Sequence, residues 1–178
     1  MTQGSRAVAF RLNGSDVEAV VRNDQMLLEL LRGSFGLTGA RESCGQGVCG
    51  ACTVEVDGMP VSSCLYWAVQ LDGTDVTTVE SLARDSTLDP LQQAFVESGA
   101  FQCGFCTPGM IMMCRSLLRD NPDPSDEQIR RWLSGSICRC GAYPEILAAV
   151  HTAAATLCEH ASPGRRESHR PSHLGAQS

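Results

Sequence analysis

The sequence predicts an α+β chain whose first half is a small mixed sheet covered by one helix and whose second half is a four-helix bundle. Three observations carry this expectation. Apolar residues recur with period two up to about Leu82 and with period 3.6 after about Arg84. Hairpin dipeptides, Asn13-Gly14 and Asp57-Gly58, fall in the first half. Helix starts with proline at the first turn, at Asp89-Pro90, Thr107-Pro108 and Tyr143-Pro144, fall in the second.

Val8, Phe10 and Leu12 alternate, Asn13-Gly14 supplies the two φ > 0 positions of a tight turn, and Val17, Ala19 and Val21 alternate again. Asn23 or Asp24 is expected to cap a helix carrying Leu27, Leu28, Leu30 and Leu31, which Gly33 and Gly36 end. Thr53 to Val56 runs into Asp57-Gly58 as a second strand pair, and a last strand is expected from Asp75 to Val79. This order of elements fits a β-grasp sheet. Beyond it, Ser125 with Gln128 forms a capping-box pattern, and Gly99, Asn121-Pro122 and Gly135 mark helix ends. The expected division is residues 1–82, residues 83–158 and a polar, mobile tail at 159–178.

The 178 residues are 43% hydrophobic, enough for ordinary cores, and the net charge is −6. All 14 basic residues are arginine and only Arg165 and Arg166 form a late pair, a pattern that argues against nucleic-acid binding. Met1 to Phe10 contains no apolar leader, and no run approaches the roughly 18 apolar residues of a membrane span. The expected location is cytoplasmic, where thiols stay reduced. No strand leads into G-x-G-x-x-G and no base–nucleophile arrangement is present, so substrate chemistry is expected on another chain.

Ten cysteines are the dominant chemical feature. Cys44, Cys49, Cys52 and Cys64 give C-x4-C-x2-C-x11-C, whose first three members have the spacing of plant-type 2Fe–2S sites. Gly45, Gly47 and Gly50 let this loop wrap an anionic cluster and bring backbone N–H groups to its sulfurs. Cys103 and Cys106 precede the helix at Pro108, and Cys138 and Cys140 precede the one at Pro144. Helix N-termini favour an anionic group, so these four thiols read as a second site. Tetrahedral zinc remains an alternative for either set, more so for the second, whereas disulfides are disfavoured in a reducing compartment. Cys114 and Cys158 share helical faces with apolar residues and read as small buried hydrophobes. His160, His169 and His173 are assigned no role.

The segments Cys44-Gly-Gln-Gly-Val-Cys-Gly-Ala-Cys-Thr53, Gln102-Cys-Gly-Phe-Cys-Thr-Pro-Gly109 and Cys138-Arg-Cys140 together resemble the small iron–sulfur subunit of molybdenum hydroxylases. That family comprises the xanthine dehydrogenases, aldehyde oxidases and carbon monoxide dehydrogenases. The resemblance runs from about Val8 to Leu157 and implies a ferredoxin-like domain followed by a helical domain, each with one 2Fe–2S cluster. It further implies a large partner subunit carrying a molybdopterin cofactor and usually a medium subunit carrying FAD. Cys44 with Cys49 would ligate one iron and Cys52 with Cys64 the other. Gln102 and Cys140 would lie nearest the pterin. Ser43, Arg41, Ser136 and Ala142 depart from the common pattern at glycine, lysine, asparagine and glycine respectively, and no ligand is lost. A hydroxyl at Ser43 is expected to reach the Cys44 sulfur and raise the cluster potential. A free-standing two-cluster ferredoxin and a zinc-stabilised adaptor are the competing functions. Co-purification with a large subunit separates the first from the family reading, and colour separates the second.

Overall fold

The computed structural model describes residues 4–160; the tail beyond them, with His169 and His173, lies outside the described residues. The chain is α+β. Strand β1 (Ser5–Leu12) pairs antiparallel with β2 (Ser15–Arg22), joined by Asn13 and Gly14 at φ 53° and 86°. Both angles match the primed turn whose twist suits a hairpin. Helix α1 (Leu27–Gly33) buries Leu27, Leu28, Leu30 and Leu31 against Val8, Phe10, Leu12, Val54 and Val76. Each such leucine contributes about 2 kcal/mol through area removed from water.

The start of α1 differs from the expectation. Met26 is its cap residue with no side-chain bond, while Asp24 pairs with Arg22 at 3.1 Å. The free N–H groups of Leu27 and Leu28 instead donate to the carbonyls of Tyr66 (2.7 Å) and Ser63 (3.0 Å). A tertiary loop has replaced the local cap, because any acceptor satisfies those donors.

Strands β3 (Thr53–Val56) and β4 (Met59–Ser62) form the second hairpin, and β5 (Asp75–Thr77) lies between β3 and β1, parallel to the latter. The sheet order is β2-β1-β5-β3-β4. β5 stops before Val79 because Asn13 Oδ1 takes the Thr78 N–H at 2.8 Å and a 3₁₀ turn begins at Val79.

Four α-helices follow: α2 (Pro90–Glu97), α3 (Thr107–Asp120), α4 (Asp126–Trp132) and α5 (Tyr143–His160). Asp89 caps α2 and Ser125 caps α4, each in a reciprocal box with the glutamine three residues on. Phe95, Met110, Met112, Leu117, Ile129, Ile146 and Val150 form a second core. Cys114 sits fully buried within it, and burial pushes its thiol up to about 12. Cys158 does not share that fate. It is exposed, because α5 outruns the core after Ala154, and Glu159 and His160 are its last two residues. None of the described helices is long and apolar enough to cross a membrane.

The two halves meet through β3 and α3. All four β3 residues are buried: Val54 and Val56 join the sheet core, while Glu55 on the opposite face is only 2% exposed. Its carboxylate accepts hydrogen bonds from Arg115 and, at 3.0 Å, from Arg119. A buried charge of this kind needs such partners.

Candidate functional site

The loop from Ala40 to Cys52 has no regular structure and is shaped by glycine: Gly45, Gly47 and Gly50 take φ of 62°, 72° and 72°. Those conformations turn backbone N–H groups inward. Gln46 N–H donates to the Cys44 sulfur at 3.4 Å, and Gly47 N–H reaches Cys64. Ser43 is exposed. The Gln46 bond, then the Cys49 thiol, then the N–H groups of Val48 and Cys49 lower the Cys44 pKa to about 6. Burial, followed by contact with Cys52, raises Cys64 to about 11. The sulfurs therefore meet two by two, Cys44 with Cys49 and Cys52 with Cys64.

The second set repeats the pattern with glycines that the sequence reading had not singled out, Gly104 at φ 74° and Gly141 at φ 79°. The Phe105 N–H and then the Cys140 thiol hold Cys103 below its ordinary value. Burial, with Cys138 beside it, raises Cys106 to about 12. Burial pushes Cys138 up as well, but N–H groups of Ala142, Cys140 and Gly141 together with the Cys106 thiol outweigh it and bring it down. The pairs here are Cys103 with Cys140 and Cys106 with Cys138. Among the described residues, no three His, Cys, Asp or Glu side chains are grouped around a single metal position.

Both sets suit an anionic group of paired irons. Within the two sets, every shifted sulfur faces an N–H group or a partner thiol, and metal binding would displace the shared protons. Among the described residues, the buried hydroxyls lacking a hydrogen-bond partner are Thr107 Oγ1 and Ser136 Oγ. Thr107 follows Cys106 directly, and Ser136 stands two residues before Cys138.

The two sets are locked together. Ile137 N–H donates to the Cys49 carbonyl at 2.9 Å, so the second loop is bonded to the backbone of a cysteine of the first. A Cβ placed on Gly109 would stand 2.1 Å from the Gly50 carbonyl oxygen, which is itself held by Thr53 Oγ1 at 2.8 Å. Arg41 donates to the Gly104 carbonyl at 2.6 Å and stacks 5.4 Å from the centre of Phe105, which fixes the Cys103–Cys106 turn. Gln102 Nε2 donates to the Cys140 carbonyl at 3.4 Å, which ties the exposed Gln102 to the half-buried Cys140. Sequence reasoning missed the ties from Arg41, Glu55 and Tyr143. A signal existed for the second: Arg115 and Arg119 stand four apart on α3, on one side of a helix whose other face is Met110, Cys114 and Leu117.

A sheet half and a helical half, each presenting four cysteines around glycine-bent turns, have the make-up of a two-site metal–thiolate protein. Residues 10–83 match the family described as 2Fe-2S iron-sulfur cluster binding domain, and residues 78–151 match the [2Fe-2S] binding domain family. The chain is 47% identical over 146 residues to the nicotinate dehydrogenase small FeS subunit of Eubacterium barkeri, covering 82% of this chain and 93% of that protein. It is 39% identical to a chain of quinoline 2-oxidoreductase from Pseudomonas putida 86, with TM-score 0.84 over 89% of this chain and 98% of the other. Aldehyde oxidoreductase from Desulfovibrio desulfuricans aligns with TM-score 0.83 and 38% identity over 86% of this chain but only 17% of its own much longer one. The chain belongs to the family of small iron–sulfur subunits of molybdenum hydroxylases.

Proposed function

We propose that this chain relays electrons from a molybdopterin centre on a large subunit, through two 2Fe–2S clusters, to a flavin subunit or another acceptor. When bound, each cluster takes up and releases one electron at a time. The chain's own residues do the rest. Cys44 with Cys49 and Cys52 with Cys64 hold the irons of the first cluster; Cys103 with Cys140 and Cys106 with Cys138 hold those of the second. The observation that carries this reading is the match of residues 10–83 and 78–151 to two 2Fe-2S domain families, each region containing one of the two four-cysteine sets, the number needed for two thiolates per tetrahedral iron. The Ile137–Cys49 hydrogen bond supplies a short backbone connection between the sets.

The division at residues 82 and 83, a β-grasp first domain and a helical bundle around the second cluster belong to the same proposal. So does a cytoplasmic location. The face carrying Gln102 and Cys140 is the one that meets the large subunit and its pterin. Phe101, Phe105 and Ile137, each next to or one residue removed from a cysteine of the second set, are exposed, which suits burial against a partner better than solvent. In this reading the residues that select the substrate belong to that partner.

The test is anaerobic purification of the chain with whatever accompanies it. About four irons per chain, a red-brown colour, two EPR signals after dithionite reduction and a co-purifying large subunit are expected. An iron-free, EPR-silent sample would overturn the relay.

A further inference from the structure

The segment carrying Cys138 and Cys140 is the least self-supporting part of the second set. Between the 3₁₀ turn ending at Gly135 and α5 it has no regular structure, and Ile137 within it is 52% exposed. It is held instead by Tyr143. The Cys138 N–H donates to the phenol oxygen at 2.9 Å, and the phenol O–H donates to the Ser136 carbonyl at 3.3 Å. Tyr143 is the first residue of α5, and that helix is fixed by Ile146, Ala149 and Val150, each 1% exposed or less.

We propose that Tyr143 is the positioning residue of the second cluster, its hydroxyl setting the geometry of the C-x-C loop by bridging Ser136 and Cys138. This rests on the cluster reading given above. Two consequences follow from the bond pattern. The Cys138 N–H is committed to the phenol, while N–H groups of Ala142, Cys140 and Gly141 face the Cys138 sulfur. Backbone N–H bonds to cluster sulfurs tune the potential, so by holding this loop the phenol sets how those N–H groups meet the second cluster. Because Ile137 lies between the two bridged residues, the phenol also keeps the Ile137 N–H aimed at the Cys49 carbonyl.

The experiment uses Tyr143→Phe in the full chain purified with its partners, a change that keeps the ring and removes only the bridging oxygen. Wild-type iron and EPR are measured first; an iron-free wild type overturns the cluster reading itself, and this proposal with it. Signals are assigned with Cys64→Ser, which disables the first set. The expected result in Tyr143→Phe is a shifted reduction potential and altered EPR shape for the second cluster, with a smaller change or none in the first, which is linked to the phenol through the Ile137–Cys49 bond. Iron falling to about half, with the first signal intact, supports the same role. Unchanged potential and shape of the second cluster, or equal loss of both clusters, overturns it.

Discussion

Replacing Gly109 by alanine tests the contact on which the apposition of the two cysteine sets depends. In an ordinary helix this change stabilises by about 0.5–1 kcal/mol, since alanine loses less backbone entropy. Here the sign should reverse. The new Cβ would stand 2.1 Å from the Gly50 carbonyl oxygen, where real Cβ contacts stay beyond 3.0 Å, so one backbone must retreat by about 1 Å. The carbonyl cannot simply rotate away, because Thr53 holds it through both its N–H (3.2 Å) and its hydroxyl (2.8 Å). Overpacking of this kind costs about 1–3 kcal/mol. For a chain of this size that lowers the melting temperature by about 2–12 °C. Gly33→Ala is the control, as nothing lies within 4 Å of its added Cβ at the end of α1. Melting of the full chain, followed by far-UV circular dichroism and by loss of visible absorbance, reads both variants. The reasoning is refuted if Gly109→Ala melts within about 1 °C of wild type with its iron complement intact, because the close approach then does not exist.

Three further outcomes follow from the interface and the surface. Arg115→Ala with Arg119→Ala strands the buried Glu55 carboxylate and should cost about 3–5 kcal/mol, whereas Glu55→Leu frees both half-exposed arginines to water and should cost about 1 kcal/mol or less; melting of both variants checks the order. Arg41→Lys keeps the charge but loses the planar stack on Phe105, so chelators should strip iron from the second set faster while the first keeps its wild-type rate. The His151 bond, and after it Arg130, hold the Asp126 carboxyl below its ordinary value, so its contribution is complete above the carboxylate range and disappears as pH falls through the lowered value. A melting-versus-pH curve for Asp126→Asn should therefore lose part of its acid slope and match wild type in shape near neutrality.

What the sequence determined by itself was local. Asn13-Gly14 and Asp57-Gly58 dictated their hairpins because a primed turn needs φ > 0 at both residues, and Ser125 with Gln128 dictated a helix start because both partners lie within three residues. The bend of the loop carrying Cys44, Cys49 and Cys52 was likewise legible, since Gly45, Gly47 and Gly50 within it take positive φ. Tertiary structure decided whatever depended on a neighbour distant in sequence. Tyr66 and Ser63 took over the cap of α1 from Asn23 and Asp24, the end of the core left Cys158 in solvent, and α3 turned the outer face of β3 into an interior that a charged Glu55 could occupy only between two arginines. Tyr143 and Arg41 belong to the same class. Their side chains bond backbone groups that carry no residue identity, so no pattern of letters marks them, and only the packed chain shows which carbonyl and which N–H each one holds.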